Sequence, residues 1–450
     1  MSLLILSQMV LAALLAIVLY IFIGFIPGTD ETSVLLPISM AVILSGINPI
    51  VALTFFVASF VTLGLMNLMP TLIVGLPGGV MSSPIVEHSL MLKKEGRTAI
   101  AIKKGAVGSL IGVLVALPTS LTISKLIMPY VDFLKDNASW FFIGGALFLA
   151  LLSSSKIISV LSIVPLALLF QGLRQVYWEL GIVPLEKNIT TSFFLGITVA
   201  PLLLTLLSLF NKEKREQEII ETIPPTYIPA IKNESLSPFN VLSKSELISS
   251  VGASFIANFL FVLSPVGLTI LFGELAGKKE KNPIKKAETS IVTMSALAQS
   301  TYLSGLMISM IALGIPLSPS AIGPGAAFFN APPVFDISQQ QTIKSVLTSP
   351  QLMLAFAIGS LLAISIVYIV AMRLAAPITT FVLQKIPHEA ILGLFISLIL
   401  LLGYMDAGLL NLFGILLIGI ASGTLNRLGV NYGVQFMTLY AAPALLQLFS

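Results

Sequence analysis

The chain has no cysteine, and its 450 residues include only two histidines, His88 and His388. The first absence excludes disulfides, thiolate catalysis, covalent haem attachment and cysteine-ligated iron–sulfur clusters. The second leaves no His-rich zinc site. Charge is also scarce: Asp, Glu, Lys and Arg make up 10% of the residues, against about 25% in an average soluble domain. The net charge of +4, from 24 basic and 20 acidic residues, is too small and too dispersed for a nucleic-acid partner. No HExxH or GxSxG motif is present, so no hydrolytic constellation is visible and the chain does not read as an enzyme. In place of these features stand long apolar runs, with 56% hydrophobic residues and a mean hydropathy of +1.01. At roughly 20 residues per crossing, this composition predicts an all-α polytopic membrane protein with about 10–13 membrane segments.

Eighteen of the 24 basic residues fall in four places: five in 93–104, five in 212–244, five in 278–286, and the trio Arg373, Lys385 and Arg427. The positive-inside bias assigns these loops to the cytoplasm, as for a multi-pass protein of the cell membrane. Four apolar stretches separate the first two basic loops, an even number that lets both lie on one side. The first 25 residues lack a basic n-region and a small-residue cleavage pattern, so they are expected to belong to the mature fold. The long polar segment 211–246 reads as a cytoplasmic linker. It separates 1–210, a first repeat with accessory helices, from a second repeat at 247–345 and an apolar scaffold at 346–450.

The repeat is carried by punctuation. Ile26-Pro27-Gly28 is followed, 50 residues on, by Gly75-Leu76-Pro77-Gly78-Gly79; Ser264-Pro265-Val266-Gly267 is followed, 51 residues after Pro265, by Gly314-Ile315-Pro316. An Asn-Pro-Ile triplet lies between the landmarks in both halves, at 48–50 and 282–284. The basic cluster follows the second proline in the first copy and precedes it in the second, so the copies are expected to face opposite ways. Inverted-topology repeats with broken or re-entrant helices are typical of secondary transporters, whose substrate site lies where the repeats meet.

Each proline removes a helical hydrogen bond, and the neighbouring glycines permit a reversal. The freed N–H groups and the positive end of a helix dipole suit an anion. Hydroxyls cluster after the breaks: Thr29 and Thr32, Ser82 and Ser83, Thr269, Ser318 and Ser320. The candidate substrate-binding residues are therefore Pro27, Gly28, Thr29, Gly78, Gly79, Ser82, Ser83, Gly267, Thr269, Gln299, Ser300, Gly314 and Ser318. Asn67, Gln299 and Ser300 are polar positions inside apolar runs, which either line a cavity or bond neighbouring helices. Asp30, Glu31 and Glu87 are candidates for a coupling ion or proton. Asp30 and Glu31 follow Pro27-Gly28 in an apolar stretch and serve either as helix-capping acids or in coupling. Glu87 and His88 follow the second break, where a surface position is the alternative.

The stretch from Ile26 to Gly112, with IPGT, GLPGGVMSSP and EHSLMLKKEGRTAIAIKKGAVGSLIG, together with SPVGLTI and MISMIALGIPLSPSAIGPGAAFF, resembles the large membrane subunit of the tripartite tricarboxylate transporters. The resemblance implies a secondary carrier, driven by a cation gradient, for citrate and related carboxylates. It also implies a small membrane subunit and an extracytoplasmic binding protein as partners. The chain departs from that pattern in Glu87 for an Asp, in Ala296, Gln299 and Ser300 for an acid and an Asn-Asn pair, in Val266 for a glycine, and in the acid pair Asp30-Glu31.

The expected function is symport of a small organic anion, a di- or tricarboxylate, with Na+ or H+ by alternating access. No organic cofactor is expected, and homodimerisation through the apolar C-terminal region is compatible with the sequence. A channel, or a carrier of lipid-linked substrates, is the alternative use of the same broken helices.

Overall fold

The structure is a computed structural model and describes residues 2–26, 31–75, 78–185, 189–208, 240–278, 280–331, 334–336, 339–385 and 388–447. Its helices are apolar on both faces, as bilayer helices are. In α1 (Leu3–Gly24), exposed Leu4, Leu11, Leu15 and Val18 are as hydrophobic as buried Met9, Ala13, Ile17 and Tyr20. Seven described helical spans are long and apolar enough to cross a membrane, and four shorter apolar helices accompany them. The chain is an all-helical polytopic membrane protein, with one two-stranded ribbon, β1 (Asn330–Ala331) and β2 (Phe335–Asp336), among the described residues.

The first half runs through α1, α2 (Glu31–Leu44), α3 (Pro49–Met66), α4 (Leu68–Ile73), a 3-10 turn (Val80–Ile85), α5 (Val86–Lys94) and α6 (Thr98–Ile127). It continues through α7 (Val131–Asp136), α8 (Ala138–Leu152), α9 (Lys156–Glu179) and α10 (Thr190–Ser208). The second half runs through α11 (Lys244–Phe259), α12 (Pro265–Gly277), α13 (Pro283–Ile308), a π turn (Ser309–Leu313), α14 (Pro319–Ile322) and α15 (Ile343–Val346). It ends with α16 (Ser349–Lys385), α17 (His388–Arg427) and α18 (Tyr432–Gln447).

The Asn-Pro-Ile triplets are matched helix starts. Asn48 Oδ1 accepts from the Ile50 N–H (3.1 Å) to cap α3, Asn282 Oδ1 accepts from the Ile284 N–H (2.9 Å) to cap α13, and a proline follows each cap. Of the four landmark prolines, Pro265 stands at the first turn of α12 behind its Ser264 cap, and Pro316 lies in the gap between the π turn and α14. Pro27 and Pro77 lie outside the described residues. α17 is two helical arms joined at a break, at Ala407 (φ −145°, ψ 25°) and Gly408 (φ 73°, ψ −165°).

Packing repeats across the halves. α1 lies on α3 and α11 on α13; α6 packs on α13 and α16 on α3; α11 touches α6 and α1 touches α16. The approach of α6 to α13 and of α16 to α3 depends on a glycine ten residues into each helix. A β-carbon on Gly108 would meet the Val292 carbonyl oxygen at 2.4 Å, and one on Gly359 the Thr54 carbonyl oxygen at 2.9 Å. The remaining helices cross over in the same sense. α8 and α9 pack on α18, and both arms of α17 border α10, where Asn411 Nδ2 donates to Ser192 Oγ (2.7 Å) and Ser192 Oγ donates to Asp406.

The two basic clusters meet at one end of the molecule. Arg97 pairs with Glu288 (2.8 Å), Lys104 with Glu288 (3.0 Å) and with Glu246, and Glu274 receives His88 (2.7 Å) and Lys286 (3.5 Å). Glu246 also closes a capping box with Ser243 at the start of α11. At this end α13 begins and α4 finishes, since Lys93 Nζ donates to the Val74 carbonyl (3.1 Å) four residues before Arg97. The helices capped by Asn48 and Asn282 therefore point in opposite directions.

Candidate functional site

Each half contains a re-entrant segment. In the first, α4 ends at Gly75, whose φ of 91° is left-handed and whose N–H reaches back to Pro70 (3.2 Å) and Thr71 (3.1 Å). The chain then folds back beside its own helix. A β-carbon on Gly78 would lie 2.0 Å from the Asn67 carbonyl oxygen, and the Gly78 N–H donates to Thr71 Oγ1 (3.1 Å). Asn67 precedes Val74 by seven residues, so the tip reaches about 10 Å inward from the turn. At the tip the Gly79 N–H donates to Ser82 Oγ (3.0 Å), and Ser82 Oγ donates to the Gly79 carbonyl (2.9 Å). The 3-10 turn and α5 lead back out.

The second half repeats this plan. The π turn ends at Gly314 (φ 71°), whose N–H reaches Ser309 (2.8 Å). The following chain lies against Gly305, where a β-carbon would meet Ser318 Cβ at 2.8 Å and Ser320 Oγ at 3.0 Å. Ser318 Oγ caps α14 by accepting from Ala321 N–H (3.2 Å) and lies 3.3 Å from Ser309 Oγ and 3.2 Å from Ser320 Oγ. All three serines are buried.

The two tips converge on the first turn of α2. Glu31, 5% exposed, accepts from the Met81 N–H through Oε1 (3.5 Å), and that oxygen lies 2.5 Å from where a Gly79 β-carbon would stand, as does Asn67 Nδ2. On the next residue, Thr32 Oγ1 faces Gly323 of the second segment at 2.8 Å by the same measure. The chain around residues 326–331 packs on α2, and the 3-10 turn packs on α12, so each half's short helix receives the other half's re-entrant segment. Among the described residues, the junction is thus built from backbone N–H groups, small hydroxyls, an asparagine and the buried carboxylate of Glu31.

Of the residues singled out in sequence, Gly78, Gly79, Ser82 and Glu31 come together here, while Ser318 stands within the second segment against Gly305 and Ser309. Gly314 forms the turn at the base of its segment. Gln299 lies at the crossing of α3 and α13, where Nε2 donates to the Val61 carbonyl (3.1 Å), so it acts as a helix–helix bond. Ser300 and Thr269 are fully buried, and neither hydroxyl has a partner among the described residues. Glu87 and Gly267 are exposed and stand apart from the convergence, whereas Ser83, also exposed, donates its hydroxyl to the Gly79 carbonyl (3.3 Å) at the first tip. Pro27, Gly28, Thr29 and Asp30 lie outside the described residues. Sequence reasoning missed Thr71, Gly305 and Ser309; a small or hydroxylic residue about one turn before each break was the available signal. Among the described residues no three His, Cys, Asp or Glu side chains come close enough to share a metal ion. An open cleft of about 620 Å³ between Gln171, Gln175, Trp178, Glu179, Leu185 and Leu446 shares no residue with the junction.

The chain belongs to the tripartite tricarboxylate transporter TctA family, whose model matches residues 10–435. No curated protein matches it, and no solved structure does. The family covers both halves, so both re-entrant segments lie within the transporter's membrane subunit.

Proposed function

We propose that the chain carries a small organic anion, a di- or tricarboxylate, across the cell membrane by alternating access, driven by a Na+ or H+ gradient. The observation behind this reading is the convergence of two re-entrant tips, one from each half, on the start of α2. Turns lined by backbone N–H groups and hydroxyls suit a carboxylate without needing arginine. The buried carboxylate of Glu31 beside them suits a cation or proton held between it and the bound anion. Asp30 and Glu87 remain proposals for coupling, Glu87 the weaker because it is exposed.

The opposed directions of α3 and α13, and the exchange of partners between the halves, support inverted repeats about a pseudo-twofold axis. That pairing also supports a longer second unit than 247–345. α16 occupies the place of α6, and α17 with α18 that of α8 to α10, so 346–450 reads as the second unit's own arm, with 211–246 as linker and 1–210 as the first unit. The family's tripartite organisation supports a small membrane subunit and an extracytoplasmic binding protein as partners.

In proteoliposomes the protein should accumulate labelled citrate or another di- or tricarboxylate when a sodium or proton gradient is imposed. The same carboxylate should raise its melting temperature. Equal flux after the gradients are collapsed would instead mark a channel.

A further inference from the structure

We propose that Lys93 and Lys344 are equivalent positioning residues, one in each half, whose ammonium groups clasp the base of a re-entrant segment and so fix where its tip sits. Lys93 Nζ donates to the carbonyl of Val74 (3.1 Å), and Lys344 Nζ donates to the carbonyl of Ala312. Both carbonyls belong to the last turn before a glycine of left-handed φ, Gly75 and Gly314. The spacing matches as well: Val74 lies seven residues beyond Asn67, which holds the first tip, and Ala312 lies seven beyond Gly305, which holds the second. The closing elements press on the turn glycines in both cases, Leu90 of α5 against Gly75 and Lys344 itself against Gly314.

The chemistry explains the choice of residue. The last carbonyls of a helix lack partners within it and carry the negative end of its dipole, so a positively charged donor suits them. Lysine brings three donors and a full charge on a flexible stem. The connections differ in length, 18 residues from Gly75 to Lys93 and 30 from Gly314 to Lys344, yet both return an ammonium group to the same place. Lys93 lies at the charged end of the molecule, and the 31-residue span Pro283–Leu313 carries Lys344 to the opposite end, about 46 Å away along the helix. The bundle therefore holds one clasp at each face.

The test is hydrogen exchange on the full chain in lipid nanodiscs, followed by mass spectrometry of peptides from 75–94 and 314–346. Lys93→Gln should raise exchange in the first segment about tenfold, the loss expected for one charge-assisted bond, and leave the second unchanged; Lys344→Gln should do the reverse. Lys→Arg at either position should keep the exchange near the parent value. Unchanged exchange in either Gln variant, an equal rise in both segments, or an Arg variant behaving like Gln would overturn the clasp. The transport role rests on the function proposed above and is read separately. Each Gln variant should raise the KM for carboxylate uptake more than it changes the maximal rate. A parent-like KM beside segment-specific exchange would overturn the positioning role alone, whereas a parent protein without uptake would overturn the transport reading and leave the exchange result to decide the clasp.

Discussion

At Gly78 a β-carbon would stand 2.0 Å from a main-chain oxygen of Asn67, so no flexible side chain can yield to it. Gly78→Ala is expected to push the tip off its helix at a cost of about 1–3 kcal/mol, the range for overpacking. The outcome to look for is a lowered melting temperature together with a lost response to carboxylate; a response that survives would separate Gly78 from the binding site. Residues of this kind are legible because Pro-Gly punctuation marks where a chain must turn, and Gly78, Gly79, Ser82 and Ser318 follow from it. Punctuation does not say which way the next turn faces, which is why Ser83 and Gly267 shared the pattern and ended on the exposed side. Lys93 and Lys344 were illegible for a different reason. Their acceptors lie 19 and 32 residues back in sequence, across connections of unequal length.

Among the elements, α6 is joined to α11 and α13 by charge as well as by shape. Lys104, with only 8% of its side chain exposed, pairs with both Glu246 and Glu288. Removing one member of a buried pair strands the others, and Lys104→Met should cost on the order of 3–5 kcal/mol. Thermal unfolding of the detergent-purified variant would measure this, with Lys104→Met/Glu246→Gln expected to recover part of the loss; a variant as stable as the parent would show that the cluster is solvated. The elements themselves were largely readable. The Asn-Pro-Ile triplets that mark the two halves each open a helix, α3 and α13. Which helices pair was not readable, because apolar faces all round give no direction to association in lipid.

For the whole molecule, the lack of cysteine provides a direct test of topology, since single cysteines can be introduced without removing others. Cysteines at exposed Lys94 and Lys281 should react with a membrane-impermeant maleimide from one side only, and a cysteine at exposed Ser345 from the other. Reaction of Lys94 and Lys281 positions from opposite sides would end the inverted-repeat reading. The charge pattern predicts this arrangement, and the meeting of Arg97 with Glu288 and of His88 and Lys286 at Glu274 agrees with a shared face for the two basic loops.

The exchange of partners between halves has a consequence for how the chain is made. When synthesis reaches residue 208, the glycine face of α6 has no α13 to lie on, α3 has no α16, and α8 with α9 has no α18. The nascent first half must wait in the lipid with its tightest seams open and Lys104 without either of its acids. Assembly is therefore a late event, and an insertion that delayed the arrival of α13 would prolong the interval in which proteases and chaperones meet an unfinished bundle.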